Sequence, residues 1–261
     1  MIMGGTILNT ITVLFGSVFG MLVGNRLEQR IQESIVIGLG LTTLYIGFDN
    51  ADKTGNLIIP LISLLIGTII GELLRLDVQL ERFAGWLQEK AQGNQVADPA
   101  DPNDPDAQAA QAFVEDRRAR FIEGFITASL VFCVGPLTFI GSIQDGMGLA
   151  SGYEMLAIKS TLDLFAAMAF AASLGVGVMF SVITVLGVQG GLALIGSLSG
   201  EFMTDPMINE MTAVGGLILV GLGLTLLDIK KPRIVNFLPG LLIAPLIVAV
   251  AVELGIDIYP L

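Results

Sequence analysis

Between Leu162 and Ser199 the chain runs for 38 residues with one charged side chain, Asp163. About twenty apolar residues are enough to cross the hydrocarbon core of a bilayer, so this run is too long for one crossing. Ser173-Leu-Gly-Val-Gly177 is the natural place to divide it. The rest of the chain agrees: 53% of its residues are hydrophobic and 14% charged, with a mean hydropathy of +0.79. Soluble domains carry about 25% charged residues. The reading is an all-α polytopic integral membrane protein embedded in a lipid bilayer.

Eight spans are expected. They cover residues 5–24, 33–48, 56–73, 121–140, 153–175, 181–199, 211–228 and 237–252. Residues 74–92 instead repeat Leu76, Leu80, Phe83 and Leu87 at helical spacing among charges. That pattern predicts an amphipathic helix on the membrane surface, with Trp86 at the interface. The following GNQVADPADPNDPD has three prolines and several acids, and reads as a solvated linker. The organisation is thus a three-span unit (1–73), the amphipathic helix and acidic linker (74–118), a central broken-helix pair (119–180) and a second three-span unit (181–261).

Loop charges set the orientation. With eight spans, one side collects Arg26, Arg30, Arg75, Arg82, Lys90, Arg117, Arg118, Arg120, Lys230, Lys231 and Arg233. The other has Lys53, with Lys159 at the top of the fifth span. The positive-inside rule makes the first side cytoplasmic. Both termini are then extracytoplasmic and residues 74–118 cytoplasmic.

The outer units resemble each other. Ile11-Thr-Val-Leu14 returns as Ile183-Thr-Val-Leu186, and Gly38-Leu-Gly-Leu-Thr42 as Gly221-Leu-Gly-Leu-Thr225. Asn56-Leu-Ile-Ile-Pro60 has a looser echo in Asn236-Phe-Leu-Pro239. Two spans lie between the copies, so the second enters from the opposite face. Inverted repeats around broken helices are a common construction of secondary transporters.

Several functions are disfavoured. The chain has no histidine and one cysteine, so His-based catalysis, imidazole metal ligation and intrachain disulfides are absent. Cys133 lies in an apolar run and reads as core. No protease or phosphate-cradling signature appears, so no enzyme activity and no cofactor are expected. A net charge of −11 repels nucleic acid. No signal peptide is read at the start.

Candidate chemistry gathers in Val134–Asp163. This stretch holds Gly135, Pro136, Gly141, Gly146, Gly148 and Gly152, so no single helix is expected through it. Broken backbone at membrane depth persists only where protein or a water-filled cavity covers it. Lys159 and Asp163 stand i,i+4 on one helix face, as a self-neutralising pair or one opened by a proton or cation. Asp145 adds a carboxylate or sits in a solvated Asp-Gly turn. Ser142, Gln144 and Thr138 supply neutral ligands, and freed carbonyls near Gly141 and Gly146 would suit a hard cation. An exposed helix N-terminus with Lys159 would suit an anion instead. Asn9, polar near the start of the first span, either binds a ligand or bonds neighbouring backbone. The candidate substrate or ion site is therefore Asn9, Ser142, Gln144, Asp145, Lys159 and Asp163; whether it takes a metal ion stays open. Gly16, Gly20 and Gly24 share a helix face, as do Gly67 and Gly71, for packing within the chain or for a homo-oligomer seam.

The opening GTILN, the GSIQDG segment and KSTLD followed by LFAAMAFAASLGVGVMFS resemble the YqgA/YdfK-like bacterial inner-membrane proteins, a domain-of-unknown-function family. The resemblance covers nearly all the membrane portion and leaves out the acidic linker. It implies a small multi-span protein of the bacterial cytoplasmic membrane. Together these readings favour a small secondary transporter or ion-conducting protein of unknown small ion or small-molecule substrate. The alternative is a non-transporting scaffold or regulatory subunit.

Overall fold

Residues 3–24, 26–92, 105–199 and 203–259 are described in a computed structural model, and every regular element among them is helical. In chain order these are α1 (Gly4–Gly24), α2 (Gln29–Ala51), α3 (Ile58–Leu74), α4 (Leu76–Gln92), α5 (Pro105–Cys133), α6 (Pro136–Gly146), α7 (Ala150–Leu174), α8 (Gly177–Ser199), α9 (Asp205–Leu226), a 3-10 turn (Ile234–Phe237) and α10 (Gly240–Glu253). Six helices are long and apolar enough to cross a membrane, or eight if each of two bent pairs makes one span. The bent pairs are α3 with α4, at 57°, and α5 with α6, at 68°. Most of the acidic linker lies outside the described residues.

Element bounds differ from expectation where polar residues stay helical. Helix α2 begins at Gln29 rather than 33, and Gln29 Nε2 donates to Glu33 Oε1 one turn on at 3.0 Å. Helix α9 begins at Asp205 rather than 211. Asp205 and Pro206 suit a first turn, the acid by the dipole and the proline by its preset φ. The division between α7 and α8 falls inside the predicted Ser173–Gly177, where Gly175 takes φ 76°.

The break between α5 and α6 has a definite cause. Pro136 has no N–H, so the carbonyl of Phe132, four residues back, loses its helical donor. Thr138 Oγ1 donates to that carbonyl at 3.2 Å. Gly135 sits at φ 153°, ψ 158°, a region open essentially to glycine alone. No single helix runs through Val134–Asp163, as expected, but Gly141 and Gly152 lie inside helices and Gly146 is the last residue of one. Gly141 and Gly146 belong to α6 and Gly152 to α7, and each lies where another segment comes close. A Cβ on Gly146 would lie 1.8 Å from the carbonyl oxygen of Ala193, and one on Gly152 2.2 Å from the backbone nitrogen of Asp145. No carbonyl is freed at Gly141.

Glycines set the helix pairing. A Cβ on Gly16, Gly20 or Gly24 would fall 2.2–2.5 Å from the carbonyl oxygens of Leu164, Met168 and Ala172, so α1 and α7 run parallel at backbone contact. This glycine face packs within the chain and is not free as an oligomer seam. Gly67 and Gly71 meet Gly240 and Asn236, which uses up the second face in the α3–α10 pair. Helices α2 and α9 run antiparallel, with reciprocal contacts of Gly40 on Leu227 and Gly223 on Leu44. Helix α4 buries Ala84 and Leu87 against Phe121 and Phe125. Phe83, on the apolar stripe of α4, is 40% exposed and stacks on Trp86 at 5.9 Å. Cys133 is buried in the main core, as expected.

Candidate functional site

The N-terminus of α1 presents backbone N–H groups with no helical acceptor. Asp145, on α6, covers them: Gly5 N donates to Oδ1 at 3.2 Å and Thr6 N to Oδ2 at 3.1 Å. Thr6 Oγ1 adds a contact at 3.4 Å. A carboxylate here also meets the positive end of the helix dipole. At 1% exposure Asp145 is not in a solvated outer turn; it is a cap applied from 140 residues away. Gly5 makes room for it, because a Cβ there would lie 3.3 Å from Asp145 Oδ2.

One turn further along the same face of α1, Asn9 Nδ2 donates to Asp163 Oδ2 at 3.0 Å. Lys159 Nζ donates to the same oxygen. Both side chains of this ion pair are 8% exposed. Asp163 is thirteen residues from the start of α7 and eleven from its end, or roughly 20 and 16 Å along the axis. The pair is therefore central in its helix, and α1 brings Asn9, Asp145 and Asp163 together along one face.

Ser142 shares its α6 face with Thr138 and Asp145 and is fully buried. Its Oγ, Asn9 Oδ1 and both polar atoms of Gln189 on α8 have no protein partner. Such groups are costly in an apolar interior. Gln144 does not join the cluster: it accepts from Ser151 Oγ at 2.7 Å across the α6–α7 turn. Among the described residues no three of His, Cys, Asp or Glu gather as a metal-binding group.

Cavities lie at both ends of the α1–α7 pair. One, of 290 Å³, is lined by Asp145, Leu149, Tyr153 and Glu154. At the opposite end a 380 Å³ cavity is lined by Gly24, Gln32, Arg117, Arg120 and Ser173. Beside it lies one of 450 Å³ with Glu33, Glu123 and Asp228. Asp163 lies on α7 between these mouths.

Sequence reasoning missed two residues. Glu210 falls between the spans expected at 181–199 and 211–228, yet it is fully buried in α9. It accepts from Thr54 Oγ1 at 2.6 Å and Gly55 N at 2.9 Å, clamping the α2–α3 loop. It shares a face with Val214 and Ile218, a helical spacing visible in the sequence. Gln189 went unnoticed as a lone amide in an apolar run. Asp49 and Asp228 are exposed and pair with Lys53 and Lys231, as solvated interfacial charges should.

Residues 4–249 match a family described as Protein of unknown function (DUF554). The chain is 33% identical to "Uncharacterized protein YqgA" of Escherichia coli (strain K12) over 244 residues, covering 92% of this chain and 94% of that one. It is 24% identical to "Uncharacterized membrane protein YdfK" of Bacillus subtilis (strain 168) over 258 residues, 97% and 99% of the two chains. No solved structure matches. A helical membrane chain matched along nearly its whole length in this way belongs to the DUF554 family of proteins of unknown function.

Proposed function

We propose that this protein is a non-enzymatic small secondary transporter or ion-conducting protein of the bacterial cytoplasmic membrane, with its site at Asn9, Lys159 and Asp163. The observation that carries this reading is the Lys159–Asp163 pair, buried at the middle of a spanning helix. Apolar side chains of similar volume commonly give equal or greater stability than a buried ion pair. Ionisable groups at membrane depth generally mark ion or substrate paths.

Three features support it. Asn9 Oδ1 and Ser142 Oγ are buried acceptors without protein partners, available to a ligand. Cavities lie at the two ends of the α1–α7 pair. The contacts Gly40–Leu227 and Gly223–Leu44 are reciprocal: Gly40 and Gly223, like Leu44 and Leu227, are 183 apart, the same offset as between Gly38 and Gly221, as a two-fold axis between inverted copies would produce. The Arg117–Arg120 end is then cytoplasmic and the Asp145 end extracytoplasmic. A scaffold reading gains little, because the glycine faces it needed are occupied within the chain.

The test is solute flux in proteoliposomes, comparing the native chain with the double variant Lys159→Gln/Asp163→Asn. The amides keep a hydrogen-bonded pair without charge. The variant should remain monodisperse and lose flux. Native flux in a folded double variant would overturn the proposal, and so would a native chain that moves no solute.

A further inference from the structure

We infer that the site exchanges one monovalent cation for one proton, with Lys159 carrying the proton; this rests on the transport reading above. The argument is one of charge. Asp163 and Lys159 neutralise each other where little else is charged. Helices α1 and α8, on either side, carry no ionisable residue. Helix α6 carries only Asp145, committed to the α1 terminus. From α5 the thiol of Cys133 lies within electrostatic reach of both charges, and the next ionisable residue back is Glu123. Helix α2 has Arg30, Glu33 and Asp49 near its ends and an exposed Tyr45, and α7 itself adds Tyr153 and Glu154 toward its start.

A cation reaching Asp163 with Lys159 still protonated would leave an uncompensated positive charge in a poorly solvated site. If Lys159 gives up its proton as the cation binds, the sum is unchanged. The ammonium N–H bond breaks, its electron pair stays on Nζ, and the proton leaves to solvent. The cation takes its place between Asp163 and the neutral amine. An ammonium is able to give up its proton inside a protein, whereas a guanidinium is not. The vacant acceptor is in place: Asn9 already holds Asp163 through Nδ2, and its Oδ1 has no protein partner. Carboxylate and amide oxygens are ligands for hard cations. A divalent ion would leave one charge uncompensated, because the one carboxylate that α1, α6 and α8 bring is Asp145, committed to the α1 terminus.

The experiment titrates purified protein in lightly buffered detergent with NaCl or KCl, with choline chloride as control, and counts the protons released. The expected result is one proton per cation bound for at least one of the two salts, and none with choline. In proteoliposomes holding a trapped pH dye, adding that salt outside should alkalinise the lumen without an ionophore shunt. Lys159→Arg keeps the ion pair and should abolish both signals. Cation uptake without proton movement, or a Lys159→Arg protein that exchanges like the native chain, overturns the inference and leaves the transport reading standing. Flux of some other solute with no response to either cation has the same consequence. No flux of any solute overturns both. If Lys159→Arg does not fold, as judged by size exclusion, proton release by the native protein decides alone.

Discussion

Asp145 accepts from two backbone N–H groups that α1 cannot satisfy itself. Asp145→Asn keeps one acceptor oxygen but removes the charge and turns an amide toward a donor. It should destabilise the protein by about 1–2 kcal/mol, in the range of lost helix caps. Thermal melting in detergent measures this, and the proton release assigned to Lys159 should persist. Tyr259, beyond α10, has a hydroxyl pushed up to about 12 by burial and the neighbouring Glu210 carboxylate. Its raised value means the folded chain holds the phenol proton after an unfolded one releases it. The stability from this tail contact is whole below pH 10 and is lost as pH rises toward 12. Tyr259→Phe should remove a late component from the tyrosinate absorbance titration. At this scale the sequence was partly legible. The Lys159–Asp163 pair needed only a helix period. The cap by Asp145 and the clamp by Glu210 act across 140 and 155 residues, a distance that local pattern does not reach.

Glycine substitutions separate packing from propensity at the level of helices. A Cβ on Gly20 would fall 2.2 Å from the Met168 carbonyl oxygen, so Gly20→Ala must push α1 and α7 apart along their whole seam. Loss of most folded protein in detergent is the expected outcome. Gly187, in α8, meets nothing within 4 Å, and Gly187→Ala should leave yield and melting unchanged or slightly improved. Thr138→Val removes the hydroxyl that covers the Phe132 carbonyl and should cost about 1–3 kcal/mol. Gly-Pro announced the α5–α6 break in the sequence. The roles of Gly141, Gly146 and Gly152 were not announced, because a glycine that breaks a helix and one that admits a neighbour look alike until the neighbour is known.

For the whole molecule, the pairs α1–α7, α2–α9 and α3–α10 each join a helix before residues 93–104 to one after them. Apolar runs led to eight spans, where six helices are long and apolar enough to cross, or eight if each bent pair makes one span, but they did not show which helices touch. Chains cut within 93–104 should therefore reassemble when residues 1–92 and 105–261 are co-expressed, and neither fragment should melt cooperatively alone. Co-purification of the fragments with a native-like melting curve is the result to look for.

The parallel seating of α1 on α7 also bears on how the chain is made. The ribosome delivers the glycine face of α1 nearly 150 residues before its partner exists. The first helix must wait in lipid with Asn9 and an uncapped end unsatisfied until α6 and α7 emerge. Biogenesis thus closes on its opening segment, and an insertion factor that shelters a lone apolar helix with one amide side chain would act on this chain from α1 until α7.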